Sequence, residues 1–130
     1  MAKVKVSIVG YGGWGTALAV LLDRIGHDVL IWGQEKDYVE EVKKRRENKK
    51  FLAGVSLSKK IDLTASIEEC VAFGSVVVFA IPTQFLRNVL YGIRFVPMGT
   101  RLVVSVAKGL EKKTLLRPSE IVESVLGKQK

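Results

Sequence analysis

Residues 4–19 read Val4-Lys5-Val6-Ser7-Ile8-Val9-Gly10-Tyr11-Gly12-Gly13-Trp14-Gly15-Thr16-Ala17-Leu18-Ala19. Val4, Val6 and Ile8 alternate with Lys5 and Ser7, the period of a strand. The strand runs straight into a glycine cluster. Beyond it Ala17, Leu18, Leu21, Leu22 and Ile25 fall at helical spacing, and Gly26 is a natural helix stop. The cluster fits G-x-G-x-x-G with its first, second and third glycines at Gly10, Gly12 and Gly15. Gly10 permits the tight turn out of the strand, a bare Gly12 lets the backbone approach a pyrophosphate, and Gly15 lets the helix pack close to the sheet. Unpaired N–H groups at the helix start, with the helix dipole behind them, stabilise phosphate charge there. Alone the pattern is weak. Between a strand and an amphipathic helix that leads to another strand, it predicts a dinucleotide site.

Outward from this unit, strand and helix alternate. Val29-Leu30-Ile31-Trp32 reads as a second buried strand. A second helix starts near Asp37, with Val39 and Val42 on one face, and fades near Asn48. Phe51-Leu52-Ala53-Gly54 reads as a loop and Ile61-Asp62-Leu63-Thr64 as a weaker strand. Ser66 and Glu69 form a capping-box pattern for a short helix up to Phe73. The most apolar strand, Ser75 to Ile81, ends at Pro82, which has no N–H for the ladder. A helix near Gln84 to Tyr91, a strand from Arg101 to Ala107 and a final helix opened by Pro118 and closed by Gly127 complete the series. The expected fold class is α/β: a Rossmann-like, doubly wound, mainly parallel sheet with helices on both faces, occupying residues 1–130 as one domain. Ligands of such sheets bind at the carboxyl ends of the strands.

Composition narrows the function. With 48% apolar residues the chain can bury a core, and no apolar run approaches the ~20 residues of a membrane-spanning helix. The N-terminus shows no signal-peptide pattern and the lone cysteine, Cys70, has no intramolecular disulfide partner, so a cytoplasmic setting is expected. A net charge of +8 admits nucleic acid, a membrane surface or a small anion as ligand. The basic run Lys43-Lys44-Arg45-Arg46 suits a solvated helix C-terminus, and no aromatics interleave it, which argues against nucleic acid.

Two further places carry chemistry. The tip of the second strand reads Trp32-Gly33-Gln34-Glu35. Glu35 could accept from a ribose 2′-hydroxyl and repel a 2′-phosphate, while Gln34 tolerates either; Asp28 has the usual spacing but sits at the wrong end of its strand. The tip leans towards NAD and leaves NADP open. Lys108 follows a strand's carboxyl end and precedes Gly109, where it could bind a phosphate or polarise a carbonyl, or simply be one more exposed lysine. Thr83 lies close enough to the cleft to contact a cofactor. Trp14 and Trp32 read mainly as packing residues, Cys70 as a packed or half-exposed thiol, and no cluster has metal-ligand spacing.

At this point the chain resembles a known family. Gly10 to Ala19, Gly26-His27-Asp28-Val29, Ile31-Trp32-Gly33, Glu47 to Leu52, Ala80-Ile81-Pro82-Thr83 and Lys108-Gly109-Leu110-Glu111 are similar, in order, to segments of the bacterial-type NAD(P)-dependent glycerol-3-phosphate dehydrogenases. The resemblance implies hydride transfer between NAD(P)H and dihydroxyacetone phosphate, giving sn-glycerol 3-phosphate for phospholipid synthesis. It implies cofactor contacts at Gly13 and Trp14 in the phosphate turn, and at Gln34 and Glu35 towards the adenosine end. It also implies contacts at Phe51, at the Pro82-Thr83 segment and at Lys108, the last shared with substrate. The chain departs from the family's pattern at Gly13, where serine is frequent, at Ala53-Gly54, where a proline usually follows the leucine, and at Gln34-Glu35, often basic. The family continues with a helical substrate domain that supplies the proton-donating lysine. The 130 residues alone are therefore expected to bind cofactor with little or no turnover and to self-associate through an exposed strand edge. Two rival readings are the same domain in another dehydrogenase, such as a ketopantoate reductase or a hydroxyacid dehydrogenase, and a non-catalytic nucleotide-binding module. A basic nucleic-acid binder is the third.

Overall fold

The computed structural model describes residues 2–128. In chain order the elements are β1 (Lys5–Val9), α1 (Gly13–Arg24), β2 (Asp28–Trp32), α2 (Lys36–Arg45), β3 (Glu47–Asn48), β4 (Leu52–Ser56), β5 (Asp62–Thr64), α3 (Ile67–Phe73), β6 (Val76–Phe79), α4 (Thr83–Tyr91), β7 (Leu102–Ser105) and α5 (Pro118–Leu126). Five strands form one sheet in the order β5-β2-β1-β6-β7, and every pairing in it is parallel. The chain winds outward from β1 to β5, crosses back through α3, and winds the other way through β6 and β7. This is the expected doubly wound architecture, and the reversal between β1 and β6 opens a crevice at the strands' carboxyl ends.

Strand alternation divides the interior into two cores. Val6 and Ile8 of β1 join Val29 and Ile31 of β2 beneath Ala19 of α1 and Val39 and Val42 of α2. Val9, Val77 and Phe79 point the other way, against Cys70 and Val71 of α3, Leu86 and Leu90 of α4, and Ile121 and Val122 of α5. Ser7 is fully buried on this second face although it is polar. Its hydroxyl donates to the Cys70 carbonyl at 2.5 Å and accepts the Gly74 N–H at 2.8 Å. A side chain on Gly74 would collide with Ser7, its Cβ falling 2.6 Å from the Ser7 hydroxyl.

Local signals place the helices. Ser66 caps α3 by accepting the Glu69 N–H at 3.2 Å, and Pro118 opens α5. The basic run forms the last turn of α2, where cations favour the helix dipole. That helix ends at Arg45, earlier than its periodicity suggests, because Arg46 turns left-handed at φ 56°. The Arg46 guanidinium holds the bend by donating to the carbonyls of Ser58 and Ile61. The segment expected to be a loop at Phe51 to Gly54 is instead part of a hairpin: β4 pairs antiparallel with the two-residue β3. Ala53 and Gly54 are poor strand formers, but pairing to β3 and the bond from Gly54 N–H to the Glu47 carboxylate at 3.0 Å hold them in the hairpin, with Gly54 at φ +83°. No helix among the described residues is long and apolar enough to cross a membrane.

Candidate dinucleotide cleft

Gly10 leaves β1 at φ +127°, with its N–H on the Trp32 carbonyl at 3.0 Å. A Cβ there would strike the Ala80 carbonyl at the tip of β6, and one on Gly15 would strike the carbonyl of Gly10. These two glycines are required by packing. Gly12 differs: a Cβ there would meet nothing within 4 Å, and it would project into the crevice. Gly12 caps α1 with no side chain to satisfy the first-turn N–H groups, so these face the cleft free for an anion. Gly13 is constrained from outside the turn, since its Cβ would lie 2.8 Å from the Phe51 carbonyl at the tip of the β3–β4 hairpin. The approach of that hairpin explains glycine here in place of a larger residue.

Two connected cavities flank the turn. One, about 590 Å³, runs past Gly10, Tyr11 and Gly12 to Trp32, Gln34 and Phe51, with Ile67, Pro82, Phe85 and Val89 opposite. The other, about 660 Å³, lies between Gly12 to Gly15, the Ala80 to Gln84 segment and Val106 to Lys108. Both include Gly12, Ala80, Ile81 and Pro82. The structure thus gathers Gly10, Gly12, Gly13, Trp14, Gly15, Gln34, Phe51, Pro82, Thr83 and Lys108 around one crevice. Glu35 stands at its rim, where it accepts from the Tyr11 hydroxyl at 3.4 Å. Burial, and then the Glu35 charge, raise the Tyr11 phenol above its ordinary value. Asp28 begins β2, at the far edge of the sheet from this crevice.

One sequence expectation changes. Trp14 is not a packing residue: it is 63% exposed on the first turn of α1 and lines the second cavity. Trp32 does pack, half-buried, and its indole N–H donates to the Ala65 carbonyl at 3.2 Å. Thr83 begins α4, and its hydroxyl donates to the Lys108 carbonyl at 2.5 Å. Lys108 itself is exposed, so its ammonium is available to an anion. Cys70 is fully buried and burial pushes its thiol up to about 12, which rules out a thiolate nucleophile at neutral pH. Among the described residues no group of three or more His, Cys, Asp and Glu side chains could hold a metal ion.

No sequence pattern marks how the Lys108 loop is held. Gln84 donates to the Leu110 carbonyl at 2.9 Å and accepts the Lys112 N–H at 3.1 Å. Arg87 makes a two-pronged bond to Glu111, both prongs at 2.9 Å, and its other nitrogen reaches the Ser124 hydroxyl of α5. Thr114 adds a hydroxyl donor at 2.5 Å. The Arg87 bond, then that of Thr114, hold the Glu111 carboxyl below its usual range.

A crevice with a bare glycine turn on one wall and an anchored lysine on the other fits a dinucleotide whose phosphates rest on α1. The comparisons with known proteins agree. A family model described as NAD-dependent glycerol-3-phosphate dehydrogenase N-terminus matches residues 5–130. The glycerol-3-phosphate dehydrogenase [NAD(P)+] of Fusobacterium nucleatum is 38% identical over 123 residues, 95% of this chain and 37% of that protein. The protein of the same name from Syntrophomonas wolfei is 41% identical over 125 residues, 96% of this chain and 36% of its own length. The crystal structure of glycerol-3-phosphate dehydrogenase from Coxiella burnetii superposes with a TM-score of 0.87 at 25% identity, covering 98% of this chain and 39% of that one. The chain therefore spans little more than a third of the length of these relatives. On the family match across residues 5–130, the chain belongs to the NAD-dependent glycerol-3-phosphate dehydrogenase family, as its N-terminal, nucleotide-binding portion.

Proposed function

We propose that this chain supplies the cofactor site of an enzyme interconverting dihydroxyacetone phosphate and sn-glycerol 3-phosphate with NAD(P)H. The observation that carries the reading is the open Gly12 position beside the unsatisfied N-terminus of α1. It is a cradle that one methyl group would fill. In this reading the N–H groups after Gly12 take the pyrophosphate, flanked by Gly13, Trp14 and Gly15. Gln34, Glu35 and Phe51 meet the adenosine end, and Pro82, Thr83 and Lys108 meet the nicotinamide end. When bound, the cofactor supplies or accepts the hydride at the substrate carbonyl carbon. The role of Lys108 is electrostatic: its ammonium neutralises phosphate or carbonyl-oxygen charge, and Thr83 fixes its backbone. For the 130 residues alone we expect cofactor binding without appreciable turnover of dihydroxyacetone phosphate, because the family's proton-donating lysine is no part of them.

Glu35 supports NAD over NADP. Its carboxylate faces the rim beside Tyr11, and a second anion such as a 2′-phosphate would be repelled there. A cytoplasmic setting accords with the buried, unpaired Cys70. The reading includes no nucleic-acid or membrane partner. Part of the basic run is already engaged, with Lys43 near Glu40 and Asp62 and Arg45 near Glu41. Self-association through the β7 edge, where Leu102 is exposed, belongs to the same reading and is measured by sedimentation.

Titration calorimetry with NADH and NADPH tests the central point. Saturable binding, tighter for NADH, is expected, and Glu35→Arg should shift the preference towards NADPH by about tenfold. Absence of binding of either cofactor by the folded chain overturns the reading.

A further inference from the structure

Asn48 is only 1% exposed, although it sits in a two-residue strand next to a solvated lysine pair. Its amide is used in one polarity. The Nδ2 group donates to the Tyr11 carbonyl at 2.6 Å and to the Thr16 hydroxyl at 2.9 Å, and the Oδ1 atom accepts from the Tyr38 hydroxyl at 2.6 Å. The Tyr38 hydroxyl in turn accepts the Lys50 N–H at 3.0 Å. Thr16 closes the loop by donating to the same Tyr11 carbonyl at 3.1 Å. One buried amide therefore joins α2, the β3–β4 hairpin, the glycine turn and the first turn of α1. The rings of Tyr11, Tyr38 and Phe51 pack edge-on or tilted against one another, with centroids 5.4 to 6.3 Å apart.

None of these groups except Tyr11 and Phe51 lines the crevice. A hairpin with only two residues in one strand has little stability of its own. Its attachment to the turn joins the Tyr11–Phe51 ring contact to this polar network, and a half-satisfied buried network costs more than none. We infer that Asn48 and Tyr38 are positioning residues for the dinucleotide site: they set the conformation of the Tyr11–Gly13 turn and hold Phe51 over the cleft. This rests on the reading that the turn receives the cofactor pyrophosphate. The polarity of the amide matters. In Asn48→Asp a carboxylate oxygen would face the Tyr11 carbonyl, lone pair against lone pair, and would add negative charge beneath a phosphate site.

The test uses the 130-residue chain, with NADH affinity by calorimetry and backbone amide NMR of the ligand-free protein. For Asn48→Asp the expected result is NADH affinity lower by at least about tenfold. With it, the Thr16 amide, bonded to Gly12 at 3.0 Å, should lose protection from exchange and the Gly12 and Gly13 resonances should move. Amides of α4 and α5 should stay as in the wild type, which a general loss of stability would not allow. Where Asn48→Asp does not fold, Tyr38→Phe is read by the same criteria with a loss of about threefold. Wild-type affinity in the folded variant overturns the inference. So does weakened binding with the turn amides unmoved, since the effect then arises elsewhere. Failure of the wild-type chain to bind NADH is a different result: it removes the dinucleotide reading, and the turn amides of the free variant still decide whether Asn48 fixes the turn.

Discussion

The glycine turn and the Lys108 loop line the same cavity, but different forces hold them. The turn is fixed by contact. Gly10 and Gly15 pack against backbone at distances no side chain could share, and neutral hydrogen bonds from Asn48 and Thr16 finish it. The Lys108 loop has open space around it: Gly109 adopts φ +79° with nothing within 4 Å of a Cβ. It is tied down at its neighbours, through the Arg87–Glu111 ion pair and the two ends of Gln84. One wall of the cleft is built to a single shape, and the other is moored by polar side chains that leave its lysine free. Under the proposed function, a rigid wall facing a moored cation would let the site hold a cofactor firmly and admit a smaller anion beside it.

Substitutions can break this contrast. The largest effect is expected at Gly15→Ala, whose Cβ strikes the Gly10 carbonyl and lies 3.1 Å from the Ala80 Cβ. Thermal or urea unfolding should show a loss of roughly 2–3 kcal/mol. Gly12→Ala should separate binding from folding. Gly12 has an ordinary φ of −63° and open space, so stability should change by no more than about 1 kcal/mol, the cost of a poorer helix cap. NADH affinity should nevertheless fall by at least about tenfold, because the methyl group occupies the approach of the phosphates. A Gly12→Ala protein that binds NADH like the wild type would place the phosphates elsewhere.

Smaller effects belong to the other wall. Gly109→Ala should cost about 1 kcal/mol, the strain of a left-handed alanine, with NADH affinity little changed. Acid should loosen the Lys108 loop before the glycine turn. The Glu111 carboxyl is held low by Arg87, so its contribution is present above the unfolded-state value and is lost as pH falls through the folded one. Amide protection of Leu115, whose N–H bonds the Glu111 carbonyl at 2.8 Å, should drop on acidification while that of Thr16 persists. Equal loss at both would show that the ion pair anchors nothing.

The turn was legible in the sequence because its constraints are local. Strand alternation, three glycines at fixed spacing and an amphipathic helix lie within about 20 contiguous residues, and each implies the next. The Ser66 cap and the Pro118 start were legible for the same reason. The hairpin was not. Ala53-Gly54 carries no strand signal, and β3 is too short to show a period. Nor was the Asn48 network, whose members come from four separate segments that only the fold brings together. Trp14 reads mainly as a packing residue because a large aromatic normally signals a core, although its place in the glycine turn also puts it near the pyrophosphate. On the first turn of α1, at the carboxyl edge of the sheet, there is no further layer for it to enter. The lysine loop was found by position, but Gln84 and Arg87 carry no pattern that marks them as its moorings.

Ser7 has a consequence for how the molecule comes apart. Its hydroxyl sits on the central strand, and both its donor and its acceptor capacity are spent on the end of α3. If that short crossover helix peeled away by itself, both of these hydrogen bonds would be lost together with the apolar cover over the sheet. Fraying of α3 is thereby linked to the opening of β1, which has a parallel neighbour on each side. The seven-residue helix, too short to persist in isolation, should open only when the whole sheet does, which makes the two cores a single cooperative unit.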